Sequence, residues 1–151
     1  MPRPGIRDLV LIATLVWLGL GFGLKLGAAA GSDDYKIIVH PGNPIAELDR
    51  QFLREAYLRK ASDWDGGAEI RPIDLASRFP VRERFVQDVL NKTPSQLKNY
   101  WNQQIFSGKG TPPPEAASPD AVVAYVLANP GAIGYLPLDA DAGGAKLIRI
   151  K

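Results

Sequence analysis

Apolar residues recur with two different spacings along the chain, and these spacings predict its strands and helices. The β-branched run from Tyr35 to Val39 is typical of a strand, and turn residues follow at 40–44. Asp49 can cap a helix with apolar residues at helical spacing, which should end near Lys60. Residues 69–75 predict a short strand, with Pro72 at a sheet edge or strand start because proline donates no hydrogen bond.

Three further helices are predicted from proline-type starts at Pro80, Thr93-Pro94 and Ser118-Pro119. In the first of these helices, the apolar residues form an amphipathic stripe, which consists of Val81, Phe85, Val89 and Leu90. In the second, they have the spacing of one buried face, which consists of Leu97, Tyr100, Trp101, Ile105 and Phe106. The third helix runs through Val122, Val123, Val126 and Leu127. Residues 107–117 lack periodicity and predict a loop. Strands follow at 132–136 and 146–150. The order β-α-β-α-α-α-β-β predicts an α/β fold, with a small mixed β-sheet flanked by helices.

Gly134 is unusual because it lies within a predicted strand, where a side chain would normally pack. A glycine there indicates that another part of the protein or a ligand approaches the strand closely. Packing of a helix against the sheet is the preferred interpretation, and contact with a ligand is the alternative.

The first thirty residues differ in composition from the rest. Arg3 and Arg7 precede an uncharged run at residues 9–24, and Ala28 and Ala30 provide small residues for an A-x-A cleavage site. This pattern predicts a secretory signal peptide, with a retained N-terminal membrane anchor as the alternative. Residues 31–151 then form a single domain, exported to the periplasm or anchored at the inner membrane facing it.

Charge and cysteine content narrow the classes of function. Residues 31–151 carry 15 basic and 15 acidic residues, so no positive field favours nucleic acid. The chain has no cysteine, which excludes disulfides, thiol nucleophiles and thiolate metal sites. No cofactor is indicated.

Several stretches, in order, resemble the phosphate-binding proteins of ABC importers, which belong to the type 2 periplasmic binding proteins. They are "IIVHPGNPIAELDRQFLREAYLRKASDWDGG", "EIRPIDL", "YWNQQIFSGKG" and "VVAYVLANPGAIGYL", the last being similar to the family's PGAIGY signature. The resemblance runs from about Tyr35 to Leu138 and covers one lobe of a family whose members have two. It implies a single-lobe fold and a phosphate or small-oxyanion ligand.

The family's second lobe offers phosphate an arginine and a Gly-Ser-Gly-Thr turn at a helix N-terminus. The matching stretch here is residues 76–82, which lacks glycine and contains Pro80. Ser77, Arg78 and Arg82 are the candidate anion ligands, since side-chain donors at a helix start favour an anion. Alternatively, the two arginines are surface charges paired with Glu83 or Asp88.

Catalysis is not indicated. His40 is the only histidine and has no nucleophile motif around it, and Asp63 and Asp65 lack the remaining ligands of a calcium loop. Two hypotheses remain. The first is an exported, non-enzymatic solute-binding protein of phosphate ABC transport. The second is an envelope interaction module that has lost its ligand and docks an importer, another envelope protein or a second copy of itself.

Overall fold

The computed structural model describes residues 34–151, so the predicted signal peptide or anchor at 1–30 lies outside the described residues. Within residues 34–151, seven strands and four helices follow one another. They are β1 (Tyr35–Val39), β2 (Glu47–Leu48), α1 (Arg50–Tyr57), β3 (Arg71–Pro72), β4 (Asp74–Leu75), α2 (Pro80–Leu90), α3 (Pro94–Phe106), β5 (Glu115–Ala116), α4 (Pro119–Ala128), β6 (Ala132–Pro137) and β7 (Lys146–Ile150). No helix within residues 34–151 has the length and apolar character needed to cross a bilayer.

Five strands form a mixed sheet in the order β2-β7-β1-β6-β3, which confirms the predicted α/β class. The central strand β1 pairs antiparallel with both β6 and β7, while β2 and β3 run parallel to their neighbours. Pro72 lies on the edge strand β3, as its missing N–H requires. Strands β4 and β5 form a separate two-stranded parallel sheet.

The helix starts confirm the predicted caps. The side chain of Asp49 accepts a hydrogen bond from the N–H of Gln51, and that of Ser118 accepts one from Ala121. Thr93 and Gln96 form a complete capping box at α3. These bonds satisfy backbone donors that a helix start leaves without partners.

Three predictions about local structure are wrong. The expected strand at 69–75 divides into β3 and β4, which belong to different sheets, and β5 interrupts the expected loop. The apolar residues of α3 do not form one buried face: Leu97 and Trp101 are buried, but Ile105 is 53% exposed and Phe106 96% exposed. Burial along α3 therefore ends at Trp101, before the last turn of the helix.

Gly134 lies on β6 opposite Ile38, beneath helix α4. A Cβ at this position would lie 2.6 Å from Cγ1 of Val122, 3.0 Å from Cγ2 of Ile73 and 3.3 Å from Cγ2 of Val126. The close neighbours are therefore core side chains, two of them on α4. The lack of a side chain at Gly134 lets the helix pack closely on the sheet.

We expect Gly134→Ala to reduce the free energy of unfolding by about 1–3 kcal/mol, because the added methyl overpacks a filled core. Urea denaturation measures the loss. Val122→Ala provides the control, since it removes the methyl group nearest to the new Cβ. It should cost less in the Gly134→Ala protein than in the native one. Strictly additive losses would contradict this account of the contact.

Candidate functional site

The turn between β4 and α2 holds Ser77 and Arg78, and both are exposed. Helix α2 begins after Phe79, which provides no side-chain cap, and Pro80 occupies its first turn. One terminal nitrogen of Arg78 donates to the carbonyl oxygen of Ala117, and its guanidinium lies 4.8 Å from the centroid of the Phe79 ring. Arg78 therefore links the start of α2 to the segment before α4.

Arg82 is the third residue of α2, and it pairs with two carboxylates. Its Nε and Nη2 donate to Oδ2 of Asp74 at 3.0 and 2.8 Å, and Nη2 also contacts Oε1 of Glu115 at 3.2 Å. The side chains of Arg82 and Asp74 are only 18% and 11% exposed. Burial alone would lower the pKa of Arg82, but the bond to Asp74 and the surrounding negative charge raise it above its usual value.

Asp74 has its hydrogen-bonding capacity largely filled from within the fold. Besides Arg82, its Oδ1 accepts from the hydroxyl of Tyr135 at 2.5 Å and from the N–H of Leu75 at 2.9 Å. Burial, with the negative charge of Asp74 next, raises the pKa of Tyr135 well above its usual value. The phenol thus stays protonated and donates. The group of Asp74, Arg82, Glu115 and Tyr135, here called the carboxylate cluster, joins β4, β5, β6 and α2.

The predicted pairing of the two arginines with Glu83 or Asp88 is not what the structure has. Asp88 instead forms an ion pair with Arg50 at 3.0 Å, and Glu83 accepts a hydrogen bond from Gln87. Sequence reasoning missed Asp74 and Glu115 as partners of Arg82. The signal for Asp74 was a charged residue within an apolar run, but nothing local distinguishes Glu115.

Ser77 and Arg82 line one side of a cleft of about 380 Å³, whereas Arg78 lies outside its lining. Residues of α3 and a proline pair from the 107–114 segment also line it. We call this cavity the α3 cleft; its other lining residues are Asp74, Pro94, Leu97, Lys98, Trp101, Asn102, Ile105, Pro112, Pro113 and Glu115. It is amphipathic, with an apolar floor and charges of both signs.

Within residues 34–151, no group of three or more His, Asp or Glu side chains is arranged to hold a metal ion. His40 follows β1, and its Nδ1 accepts a hydrogen bond from the N–H of Gly42 at 3.0 Å. This bond closes a turn. Asp63 forms an isolated antiparallel bridge with Glu69, at the base of the loop that contains Trp64.

No model of a known protein family matches the sequence, and no characterised protein matches it significantly. Solved structures do share the fold. One is an ABC-type phosphate transport receptor from Vibrio cholerae, with a TM-score of 0.62 and 17% identity over 77% of this chain. Another is a putative phosphate ABC transporter substrate-binding protein with bound phosphate from Clostridium perfringens, with a TM-score of 0.60 and 17% identity over 77% of this chain.

A third such structure is PstS from Borrelia burgdorferi, with a TM-score of 0.60 and 16% identity over 78% of this chain. The match covers only 45%, 44% and 47% of these three chains, less than half of each. The expected resemblance is therefore confirmed at the level of the fold. Residues 34–151 have the α/β architecture of one lobe of a phosphate-transport receptor.

We expect Arg82→Met to reduce the free energy of unfolding by about 3 kcal/mol, because it leaves the carboxylate of Asp74 buried without its cation. Arg71→Met is the matched control. Arg71 pairs with Glu69 at 3.0 Å, but both side chains are at least half exposed, so its loss should stay below about 1 kcal/mol. Urea denaturation at neutral pH compares the two. Equal losses would show that the carboxylate cluster is not structural.

Alkaline pH should unfold the protein through its buried phenols. Burial raises the pKa of Tyr35 from 10.0 to about 12, and burial also raises that of Tyr57 and Tyr135 well above the usual value. The folded state thus holds these protons more tightly than the unfolded chain. Stability should be full below pH 10 and fall above it, by about 1.4 kcal/mol per pH unit for each of Tyr57 and Tyr135. Tyr35 should contribute less, because its hydroxyl is only half buried and solvent screens it.

Tyrosinate absorbance and circular dichroism followed together from neutral to alkaline pH measure this coupling. Tyr57→Phe should reduce the steepness of the stability loss above pH 10. Full ionisation near pH 10 in a protein that stays folded would contradict the expected burial of these hydroxyls.

Proposed function

We propose that this protein is an exported, non-enzymatic solute-binding protein that binds phosphate or another small oxyanion at the start of α2. The observation that carries this proposal is the fold shared with receptors for phosphate transport, one of which has phosphate bound. The exposed Ser77 and Arg78 at a helix start add donors of the right kind. The proposed compartment is the periplasm, and the proposed partner is an ABC importer.

Arg78 is the main ligand in this proposal. A guanidinium carries five N–H donors, and Arg78 uses one terminal nitrogen to bind Ala117. The remaining donors provide a planar fork suited to an oxyanion. Ser77 adds a hydroxyl, and the positive end of the α2 dipole adds a favourable field.

Arg82 contributes less to the binding of the anion than its position in the sequence indicates. Its Nε and Nη2 are engaged by Asp74 and Glu115, so only Nη1 takes no part in a hydrogen bond within residues 34–151. The two carboxylates also oppose the approach of an anion. We therefore expect weak binding, with a dissociation constant of about 1 mM.

Isothermal titration calorimetry of the purified protein with phosphate tests the proposal, with sulfate as a second oxyanion. Arg78→Ala should weaken binding about tenfold, because it removes a charge-assisted hydrogen bond. Arg84→Ala is the matched control, since Arg84 is an exposed arginine on the same helix, 3.8 Å from Asp34. It should leave the affinity unchanged. No heat and no thermal stabilisation at millimolar phosphate would refute solute binding here.

An envelope interaction module is the second candidate, and two observations favour it. First, two carboxylates balance the positive charge of Arg82. Second, Phe106 is the largest exposed apolar side chain among residues 34–151. Exposed apolar surface commonly marks a contact with another protein. This candidate differs from the first in expecting no calorimetric response to phosphate or sulfate.

A further inference from the structure

The end of α3 holds an aromatic side chain in solvent, next to a hydrogen-bonded turn. Phe106 is 96% exposed. The next residue, Ser107, donates from its N–H and its hydroxyl to the carbonyl of Gln103 at 3.0 and 2.7 Å. The N–H of Gly108 then donates to Ile105, and Gly108 takes a φ of 69°. These bonds end the helix and hold the backbone from which the Phe106 side chain projects.

The α3 cleft lies beside this projection. Ile105, the residue before Phe106, lines the cleft and is itself 53% exposed. Leu97, Trp101 and Pro113 supply an apolar floor, and a volume of about 380 Å³ is within the range of cavities that take ring-sized groups. The same surface therefore carries a protruding aromatic group and an apolar depression next to it.

Two charges of opposite sign border the cleft. Lys98 has no ion pair or hydrogen bond with any residue of the described range 34–151. Glu115 has a side chain that is 53% exposed and is held through one oxygen by Arg82. A surface that carries both signs can meet its own copy favourably, since the cation of each molecule faces the carboxylate of the other.

We propose that two copies of this chain associate through this surface, with Phe106 of each copy in the α3 cleft of the other. A two-fold arrangement satisfies both features at once, because each molecule offers one projection and one depression. Residues 31–151 carry 15 basic and 15 acidic residues, so net repulsion does not oppose association. The aromatic ring is the central anchor of the interface. The proposal does not depend on anion binding at the α2 start.

Sedimentation velocity over a range of concentrations tests the proposal on protein expressed from the full chain. We expect a concentration-dependent dimer. Phe106→Asp should weaken dimerisation about 30-fold, the effect expected for loss of an interface anchor. Leu138→Asp is the matched control: Leu138 is 49% exposed and lies outside the α3 cleft, so the dimer should persist.

Cysteine crosslinking tests which residues meet in the dimer. The method suits this protein because the native chain has no cysteine. Ser77→Cys protein mixed with Ser107→Cys protein should form a mixed disulfide dimer on oxidation, because Ser77 lines the cleft and Ser107 is next to Phe106, whose ring is kept. Leu138→Cys in place of Ser77→Cys should form far less. A protein that is still monomeric at a concentration of about 1 mM would overturn the proposal. So would a dimer that persists in the Phe106→Asp variant. A monomeric protein that binds lipid vesicles through Phe106 would also overturn it.

Discussion

The carboxylate cluster is the interaction on which the arrangement of this domain depends. Asp74 lies at 8% exposure on a strand of only two residues, and a lone carboxylate there would be costly to bury. Arg82 balances its charge, and the hydroxyl of Tyr135 supplies a further donor. Because these partners come from α2 and β6, the small β4-β5 sheet is attached to the main sheet by polar bonds as well as by apolar packing.

The same cluster reduces the positive charge that Arg82 offers to its surroundings at the start of α2. A guanidinium that is committed to two carboxylates contributes little positive potential to its surroundings, whatever its total charge. The exposed donors at the α2 start come from Ser77 and Arg78. The fold is therefore that of a lobe from a phosphate-transport receptor, while the local electrostatics favour an anion only modestly.

Features encoded by adjacent residues could be predicted from the sequence. The caps of α1, α3 and α4 depend on one polar side chain and the following turn, so Asp49, Thr93 and Ser118 were enough to locate them. The buried face of α2 followed from periodicity in the same way. Local chemistry and the final structure agree at these positions.

Features that depend on distant residues could not be predicted. β4 pairs with β5 across about forty residues, and two-residue strands have no period to detect. The partners of Arg82 lie on those two strands. The exposure of Phe106 could not be predicted for a related reason. Helical spacing shows which apolar residues share a face of α3, but it does not show how much of that face other elements cover.

The edges of the main sheet limit how this protein can join to other chains. Strands β2 and β3 are two residues long, and one of them contains Pro72. Such short edge strands offer few backbone N–H and C=O groups with which a strand from another chain could pair. Polymerisation by strand addition at these two edges is thereby disfavoured.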